Sequence, residues 1–437
     1  MTSLTVNGQM DVTDFDFIAD RMPDLTTLVI DAEIVPYKGN PTRNGSGVSA
    51  PRALPPFALF GSTVKNLTIS GNTTTIGEAA LAGTNLEKLT VTANISALPP
   101  YMAKDVATLH TVILSPSVTE IGASAFEGCT ALTAVEASGV TVISDHAFNG
   151  CTSLTDYPFT AQLKEIGDYA FSGTSLLTAD LQQMKSLKTL GKGAFSECPD
   201  LTLATLPEGV TTLPEAFFFG DSSLTRLLLP STLTGIATLS LAGLTSINPA
   251  HEDFISNTAV ETIGDYGMAN WKSAGTVTLP STLNYLGDNA MQQWESLESI
   301  TVKEGMEQAP ALGENVWHQT PQENVSLNVS SATLAEEFRS TPQWKEFRVT
   351  DMSTDEPIAT GSEENGYLNV EFNGNLITVT CDIPMTEVAL FDLSGHLIAR
   401  TAPDATTATL STGSRDILLL RVTTTDNKTL NRKILRK

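Results

Sequence analysis

Residues 120–129 of the chain read EIGASAFEGC, and the pattern returns at 142–151 as VISDHAFNGC and at 189–198 as TLGKGAFSEC. In each copy an aliphatic residue, called the anchor below, is followed five residues later by phenylalanine. A pattern that returns at a fixed interval is the sequence signature of a repeat architecture. The fold therefore depends on how far this repeat extends in both directions.

The repeat extends over residues 51–350 in about twelve copies. Most anchors are 22 to 24 residues apart, and the two longer intervals begin at Ile236 and Leu286. The anchors are Leu54, Ile76, Leu98, Ile121, Ile143, Ile166, Leu190, Leu213, Ile236, Ile263, Leu286 and Leu312. The fifth residue after the anchor is large and apolar in every copy except the one with Ala103. These two apolar positions predict the core of each copy.

A second apolar pattern lies between the anchors, as in residues 86–91, 224–229 and 297–302. Its last residues alternate between apolar and polar, as in a half-buried strand. One such repeat cannot bury its own apolar face, whereas stacked copies cover one another. We therefore predict an α/β-type repeat solenoid with a parallel sheet, its strands about 4.8 Å apart and joined by short helices or turns.

Acidic residues recur close behind the anchors, often after a glycine that favours a tight turn into a short helical segment. They are Asp145, Asp168, Glu215, Asp265, Asp288 and Glu314. One interpretation is that they cap the N-termini of the short helices. The alternative is a column of calcium sites, although the closely spaced oxygen ligands that calcium prefers are missing from the pattern.

Composition excludes several classes of function. The chain has 437 residues and a formal net charge of −24, so we expect no nucleic-acid partner, because binding phosphate backbones requires a basic surface. No apolar run approaches the roughly 20 residues that span a bilayer. The chain begins Met1-Thr2-Ser3 without a basic or apolar leader. We expect either an intracellular protein or an exported one whose signal peptide is absent from this sequence.

Catalytic motifs are missing from the sequence. Its histidines, His110, His146, His251, His318 and His396, have no metal-ligand spacing. We therefore expect no enzyme, no cofactor and no metal site.

The cysteines Cys129, Cys151 and Cys198 occupy one repeat position and are expected to be buried thiols. A Cys129–Cys151 disulfide is the alternative, because neighbouring copies could lie within bridging distance.

The outward side chains of the predicted sheet form the candidate ligand-binding face. They are Thr68, Thr90, Glu136, Asp180, Leu203, Thr205, Arg226, Leu228, Thr278 and Thr301. A column of threonines is also ordinary chemistry for a solvated sheet. Leu203, Arg226 and Leu228 should be near neighbours, and a mixed apolar and arginine surface suits protein contacts. The long interval around His251 predicts a loop, which is either a tolerated insertion or a functional one.

The ends of the chain differ from the repeat. Residues 1–50 are expected to form an N-terminal cap, with a helix over residues 14–22, a strand over 25–30 and a loop from Lys38 to Ser49. Residues 351–366 have the composition of a linker. Residues 367–437 change to a period of two, with a hairpin signal at Asn373-Gly374, and predict a small all-β sandwich of about seven strands.

The alternation of I-G-x-x-A-F-x-x-C with L-x-x-I-x-L-P resembles the BspA-type leucine-rich repeats of bacterial surface proteins. The resemblance implies a parallel sheet on the concave face of the solenoid. It also implies a non-enzymatic adhesin that binds a protein or glycan, on host extracellular matrix or another bacterial surface. The sequence gives no indication of oligomeric state.

The C-terminal module resembles the type A sorting domain of type IX secretion in the Bacteroidetes. The resemblance rests on FDLSG at 391–395, LLLRV at 418–422 and the basic tail at 432–437. The tyrosine-containing motif usual before the penultimate strand is replaced by RDI at 415–417. The resemblance implies an exported protein at the cell surface or outside the cell. A structural scaffold of the cell envelope is the alternative function.

Overall fold

The computed structural model describes residues 1–36, 51–247, 254–352, 368–373, 376–391, 397–411, 417–425 and 429–435. The chain forms two compact units, Met1–Val329 with Thr333–Thr350, and Ser330–Ala332 with Asp351–Lys437. The predicted loop from Lys38 to Ser49, the insertion around His251 and most of the linker lie outside the described residues.

The first unit begins with β1 (Ser3–Met10), α1 (Val12–Arg21) and β2 (Thr27–Ile34). Asp11 caps α1, its side chain accepting the backbone N–H of Thr13 at 2.8 Å, while Phe15 and Ile18 are buried. The predicted helix and second strand are confirmed. β1, which pairs with β2 in parallel along its whole length, was not predicted.

The remaining strands of this unit follow the repeat. In chain order they are β3 (Ala53–Leu54), β4 (Asn66–Ile69), β5 (Thr75–Ile76), β6 (Lys88–Val91), β7 (Ala97–Leu98), β8 (Thr111–Leu114), β9 (Glu120–Ile121), β10 (Ala134–Glu136), β11 (Val142–Ile143), β12 (Glu165–Ile166), β13 (Thr178–Asp180), β14 (Thr189–Leu190), β15 (Leu203–Thr205), β16 (Thr212–Leu213), β17 (Arg226–Leu228), β18 (Gly235–Ile236), β19 (Thr262–Ile263), β20 (Thr276–Leu279), β21 (Tyr285–Leu286), β22 (Ser299–Val302), β23 (Ala311–Leu312), β24 (Ser326–Val329) and β25 (Arg348–Asp351). Helix α2 (Ala332–Ser340) and two 3-10 turns, Gln322–Asn324 and Trp344–Glu346, lie near the end.

Two kinds of strand alternate along this solenoid. The longer strands form three sheets, in the orders β1-β2-β4-β6-β8-β10, β13-β15-β17 and β20-β22-β24-β25, and we call their outward side the main face. The two-residue strands, each ending at an anchor, form β3-β5, β7-β9-β11-β12-β14 and β16-β18-β19-β21-β23, and their outward side is the second face. The predicted parallel solenoid is confirmed, and the sequence analysis missed the second set of sheets.

The loop after each anchor contains turns rather than the predicted short helix. The third and seventh residues after the anchor are left-handed, with φ of 54° at Ser124 and 72° at Gly128, which a right-handed helix cannot contain. The N–H groups of the third, fifth and seventh residues donate to the next coil instead, as from Phe126 to the carbonyl of Ala147 at 2.9 Å. These bonds form a third ladder between coils.

The glycine and the acidic residue behind the anchor both serve contacts between coils. A Cβ on Gly167 would lie 2.5 Å from the backbone nitrogen of Asp145, so glycine permits close approach rather than a tight turn. Oδ1 of Asp145 accepts the N–H of Asp168 at 2.8 Å, and Oδ1 of Asp168 accepts the N–H of Lys192 at 2.7 Å. The predicted helix caps are therefore wrong, because these carboxylates pair with the following coil.

A column of large side chains fills the centre of the solenoid. Phe126, Phe148, Phe171, Phe195 and Phe218 stack with consecutive ring centroids 5.3 to 5.8 Å apart. All five rings are fully buried. The predicted core position five residues after the anchor is confirmed, and the coil spacing places each ring on the next in a stacked geometry that stabilises aromatic pairs.

Hydrogen-bond donors line a second buried column, eight residues after the anchor. The thiols of Cys129 and Cys151 donate to carbonyls of the preceding coil, at 3.1 Å from Ala103 and 3.1 Å from Phe126. Trp271 occupies the same repeat position, and its indole N–H donates to Leu241 at 2.6 Å. In each case the carbonyl belongs to the fifth residue after the preceding anchor. The carbonyls of Ala103 and Phe126 also accept backbone N–H groups, from Val106 at 3.2 Å and Cys129 at 3.1 Å, so each thiol is a second donor to an oxygen with two lone pairs.

The cysteines are free thiols, as the first of the two interpretations predicts. Burial raises the pKa of the Cys129 and Cys198 thiols to about 12.

Asp221 stands in the same column and is fully buried. Its Oδ1 accepts the N–H of Cys198 at 2.8 Å, while Oδ2 is without a partner. Burial raises the pKa of Asp221 well above its usual range.

The second unit is an antiparallel sheet. Its strands are β26 (Leu368–Asn373), β27 (Leu376–Phe391), β28 (Leu397–Thr401), β29 (Ala405–Ser411), β30 (Ile417–Thr424) and β31 (Thr429–Leu435). β27 pairs with β26 and β29 through its first part, and with β28 and β30 through its last part. The described residues of this unit hold six strands around one apolar core, where about seven are predicted, and β27 alone spans sixteen residues.

We expect Cys151→Thr to be more stable than Cys151→Val. Both side chains have the same shape, and threonine occupies this position at Thr84 and Thr174, where its hydroxyl donates to a carbonyl of its own coil. A threonine hydroxyl at residue 151 would keep a hydrogen-bond donor in the column, whereas valine has none, so the difference in unfolding free energy should be about 1 kcal/mol. Urea denaturation measures it. Equal or greater stability of the valine variant would contradict the role of the donor column.

We expect Asp221→Asn to stabilise the protein at neutral pH and not at pH 4. Because the folded-state pKa is raised, the stability of the wild type falls as the pH rises above the unfolded-state pKa of about 3.9. Asparagine keeps the acceptor for Cys198 without a titrating group. Thermal melting between pH 4 and pH 8 measures the effect, and parallel pH profiles for the two proteins would refute it.

Candidate functional site

The main face divides into three stretches. Inward side chains of its strands are buried and alternate with outward ones, as at Leu227 between Arg226 and Leu228. The ladder is interrupted after β10, where the next coil carries Pro158 and forms no strand. Proline lacks the N–H that a ladder requires. Between β17 and β20 no described strand joins the two sheets, and residues 248–253 of the intervening coil lie outside the described residues.

The first stretch brings part of the predicted face together. Thr68 pairs in register with Thr90, and Thr90 with Ile113. Ile113 pairs with Glu136, so these four side chains form one row across neighbouring strands. Thr68 and Thr90 are half-buried and Glu136 is exposed. The row is polar apart from Ile113, as expected for a solvated sheet.

The second stretch carries the apolar residues. Leu203 pairs in register with Arg226, and Thr205 with Leu228, so the predicted neighbours do lie together. Leu203 and Leu228 are half-buried and Arg226 is exposed. Thr205 is only 4% exposed, and its hydroxyl donates to the carboxylate of Asp180. Thr205 therefore supports the sheet and offers little surface to a ligand.

The third stretch is separate from the other two. Thr278 and Thr301 pair with each other in register on β20 and β22. Thr278 is half-buried and Thr301 is exposed. No strand of the described chain links their sheet to the one with Arg226. Among the described residues, the ten predicted residues therefore lie on three separately paired sheets.

The sequence analysis missed one apolar residue of the middle stretch. Leu177 precedes β13 and is 50% exposed. Its carbonyl accepts the N–H of Thr202, which occupies the same repeat position in the next coil. The next two coils carry threonine at this repeat position, Thr202 and Thr225. The change from threonine to leucine is the sequence signal that could have indicated the exposed residue. We call Leu177, Leu203, Arg226 and Leu228 the central patch.

Acidic side chains border the central patch on the N-terminal side. Glu136, Asp156 and Asp180 belong to three successive coils, and all three are exposed. Arg226 adds a positive charge beside two leucines on the C-terminal side. The arrangement of apolar residues and arginine inside a polar border matches the composition of protein interfaces. It can bind a surface, and it holds no group poised for bond chemistry.

One histidine of the solenoid, His146, makes contacts within the fold. His146 Nδ1 lies 2.9 Å from Nδ2 of Asn149, and its ring stacks on Tyr169 at 5.3 Å. Within the described ranges, no three His, Cys, Asp or Glu side chains are placed to hold a metal ion. His251 and His396 lie outside those ranges. No helix among the described residues is long and apolar enough to cross a membrane.

Comparison with known families identifies the repeat. The model of the BspA type leucine rich repeat region matches residues 52–138, 134–248 and 249–354. Together these matches cover the whole solenoid from β3 onward. No curated protein matches the chain.

Several solved bacterial structures are similar to the chain. A leucine-rich repeat protein from Bacteroides ovatus is 19% identical, with a TM-score of 0.49 over 70% of this chain and 80% of that one. The leucine-rich repeat protein of T. pallidum is 33% identical, with a TM-score of 0.34 over 35% of this chain and 72% of that one. The pneumococcal vaccine antigen PcpA is 16% identical, with a TM-score of 0.41 over 80% of this chain and 94% of that one.

Proposed function

Because the chain belongs to the BspA-type leucine-rich repeat proteins, we propose that it is an exported, non-enzymatic protein that binds another macromolecule. The family is one of protein-interaction repeats, and the described side chains offer contact surfaces rather than a reaction centre. The main face, the concave side implied by the family resemblance, is the proposed binding surface. Fold alone does not fix function, so the proposal rests on one local feature of that face.

The central patch is the observation that carries the proposal. Elsewhere the outward rows of the main face consist mostly of threonine and other polar residues, as at Thr68, Thr90 and Thr301. The patch replaces them with leucines around an arginine. Leucine side chains exposed to water gain free energy when a partner covers them, at about 25 cal/mol per Å². Arginine among apolar residues is typical of the residues that dominate binding energy.

Export is the proposed localisation. It is supported by the repeat family and by the antiparallel sheet of the second unit, in the region that resembles a type IX sorting domain. The buried thiols are compatible with this, since burial raises their pKa and thereby suppresses oxidation. Ligands on host extracellular matrix or on another bacterial surface are the proposed partners.

The direct test is binding by the full chain and its Leu228→Asp variant. The panel consists of fibronectin, fibrinogen, laminin, mucin, cell-wall glycans and the protein itself, followed by surface plasmon resonance. Thr301→Asp is the matched control, because it places the same charge on an outward strand position of the separate third stretch. Circular dichroism checks that both variants fold.

We expect a ligand from the panel whose affinity falls at least 30-fold in Leu228→Asp, the loss typical of a residue that dominates an interface. Thr301→Asp should bind as the wild type does. Binding to the protein itself alone would favour the envelope scaffold instead. Equal affinity of the two variants for a ligand, or no ligand in the panel, would contradict recognition through the central patch.

A further inference from the structure

The second face carries a groove that no part of the proposed function uses. It is an open groove of about 430 Å³ that crosses the coils of β5, β7 and β9 and ends at Ser144, directly after β11. Ala97 and Pro99 form part of its lining, together with Pro100, Glu120 and Ser144. A volume of this size falls within the range of small-molecule sites. The groove belongs to the solenoid alone and lies on a different set of sheets from the central patch.

The groove exists because side chains present in other coils are missing here. The outward residue of the two-residue strand is Ala97, whereas its register partner is Glu120 and the equivalent residue of β21 is Tyr285. The second residue after the anchor is Pro100 in one coil and Ala123 in the next, where later coils carry Asp145 and Asp168. Two consecutive coils, those of Leu98 and Ile121, therefore lack a long side chain at adjoining positions. The ladder of the second face is also interrupted here, since β5 and β7 belong to different sheets.

An exposed aromatic residue borders the groove in the chain, since the N–H of Tyr101 donates to the carbonyl of the lining residue Ala123 at 2.9 Å. Tyr101 directly follows Pro100, is 41% exposed and has a left-handed φ of 57°. Nζ of Lys104 lies 5.7 Å from the ring centroid, so a cation–π contact braces one face of the ring. Nζ of Lys104 also forms an ion pair with Oε2 of Glu127 at 2.8 Å. These contacts fix the orientation of the ring before any ligand arrives, which lowers the entropic cost of binding.

The polar groups of the groove are available to a ligand. The hydroxyls of Thr75, Ser96 and Ser144 and the carboxylate of Glu120 make no hydrogen bond to other described residues. Hydroxyls both donate and accept, and a carboxylate accepts. No lysine or arginine lines the groove. The lining therefore complements a neutral molecule rich in hydroxyl groups, and its single charge disfavours an acidic one.

From these observations we infer that the groove binds a short neutral oligosaccharide, with Tyr101 stacking on the apolar face of one sugar ring. Pyranose rings present C–H groups on one face and hydroxyls around the rim. An aromatic ring supplies apolar contact to the former, and the groove hydroxyls and Glu120 pair with the latter. This site is independent of the central patch, so either proposal can fail without the other.

The experiment uses the full chain and neutral gluco-, manno- and galacto-hexasaccharides, together with hexa-N-acetylchitohexaose. Sialyllactose and a sulfated disaccharide serve as acidic comparisons. Isothermal titration calorimetry measures binding by the wild type, Tyr101→Ala and Ala97→Gln, the last filling the groove with a residue similar in shape to its register partner Glu120. Tyr266→Ala is the matched control, since Tyr266 has the same repeat position and is 38% exposed.

We expect at least one neutral oligosaccharide to bind, with affinity reduced at least tenfold in Tyr101→Ala and Ala97→Gln. Tyr266→Ala and Leu228→Asp should bind it as the wild type does. The acidic sugars should bind more weakly than the neutral ones. Absence of binding to every neutral oligosaccharide at millimolar concentration would overturn the proposal, as would unchanged binding in Tyr101→Ala or equal loss in Tyr266→Ala.

Discussion

A coil of this solenoid cannot satisfy its own backbone, and the rest of the structure follows from that constraint. Each coil gives hydrogen bonds to its neighbour at three places, namely the main sheets, the two-residue strands and the left-handed loops. Unpaired buried backbone groups are costly, so the coils must stay in register along all three ladders. Thiols and indoles add a further hydrogen bond between coils by donating to the carbonyl of the fifth residue after the preceding anchor, as at Cys151 and Trp271.

Because the ladders and the inward residues hold the coils together, the outward side chains can differ from coil to coil. The inward residues and the ladders hold the coils together, whereas outward side chains of the main and second faces contribute little to the fold. Both proposed sites arise where one coil departs from its neighbours. Leu228 replaces a polar residue and creates an apolar surface, and Ala97 lacks a long side chain and opens a groove. In a repeat protein such departures mark candidate sites, because the repeat itself shows what the fold requires.

The sequence predicted the inward positions well, because apolar spacing reports burial directly. Phe126, Phe148 and Phe171 lie in the core where their spacing places them, and Leu203 and Arg226 are neighbours on the sheet. The two-residue strands were missed because period two cannot be detected in so short a segment. The loops were predicted as helices because residue type alone does not indicate that a residue such as Ser124 has a left-handed backbone conformation. The Asp145 carboxylate was assigned to a cap because its true partner, the Asp168 N–H, belongs to another coil.

The groove could not be foreseen for a related reason. It forms from Ala97, Ala123 and Ser144, which are far apart in the chain and ordinary in each coil alone. Only the register between coils places them together. The interruption of the main face at Pro158 is not among the predictions, although proline lacks the N–H that a ladder requires.

Amide-resolved hydrogen exchange of the full chain tests the central claim most directly. If the loops form a ladder between coils, the N–H groups of Phe126, Phe148 and Phe171 should exchange as slowly as those of strand residues Leu89 and Val112, within about tenfold. All of these residues are buried, so burial alone does not separate the two groups. Exchange of the three phenylalanine amides at the rate of exposed turns, with the strand amides still protected, would show that the loops are not coupled and would contradict the account.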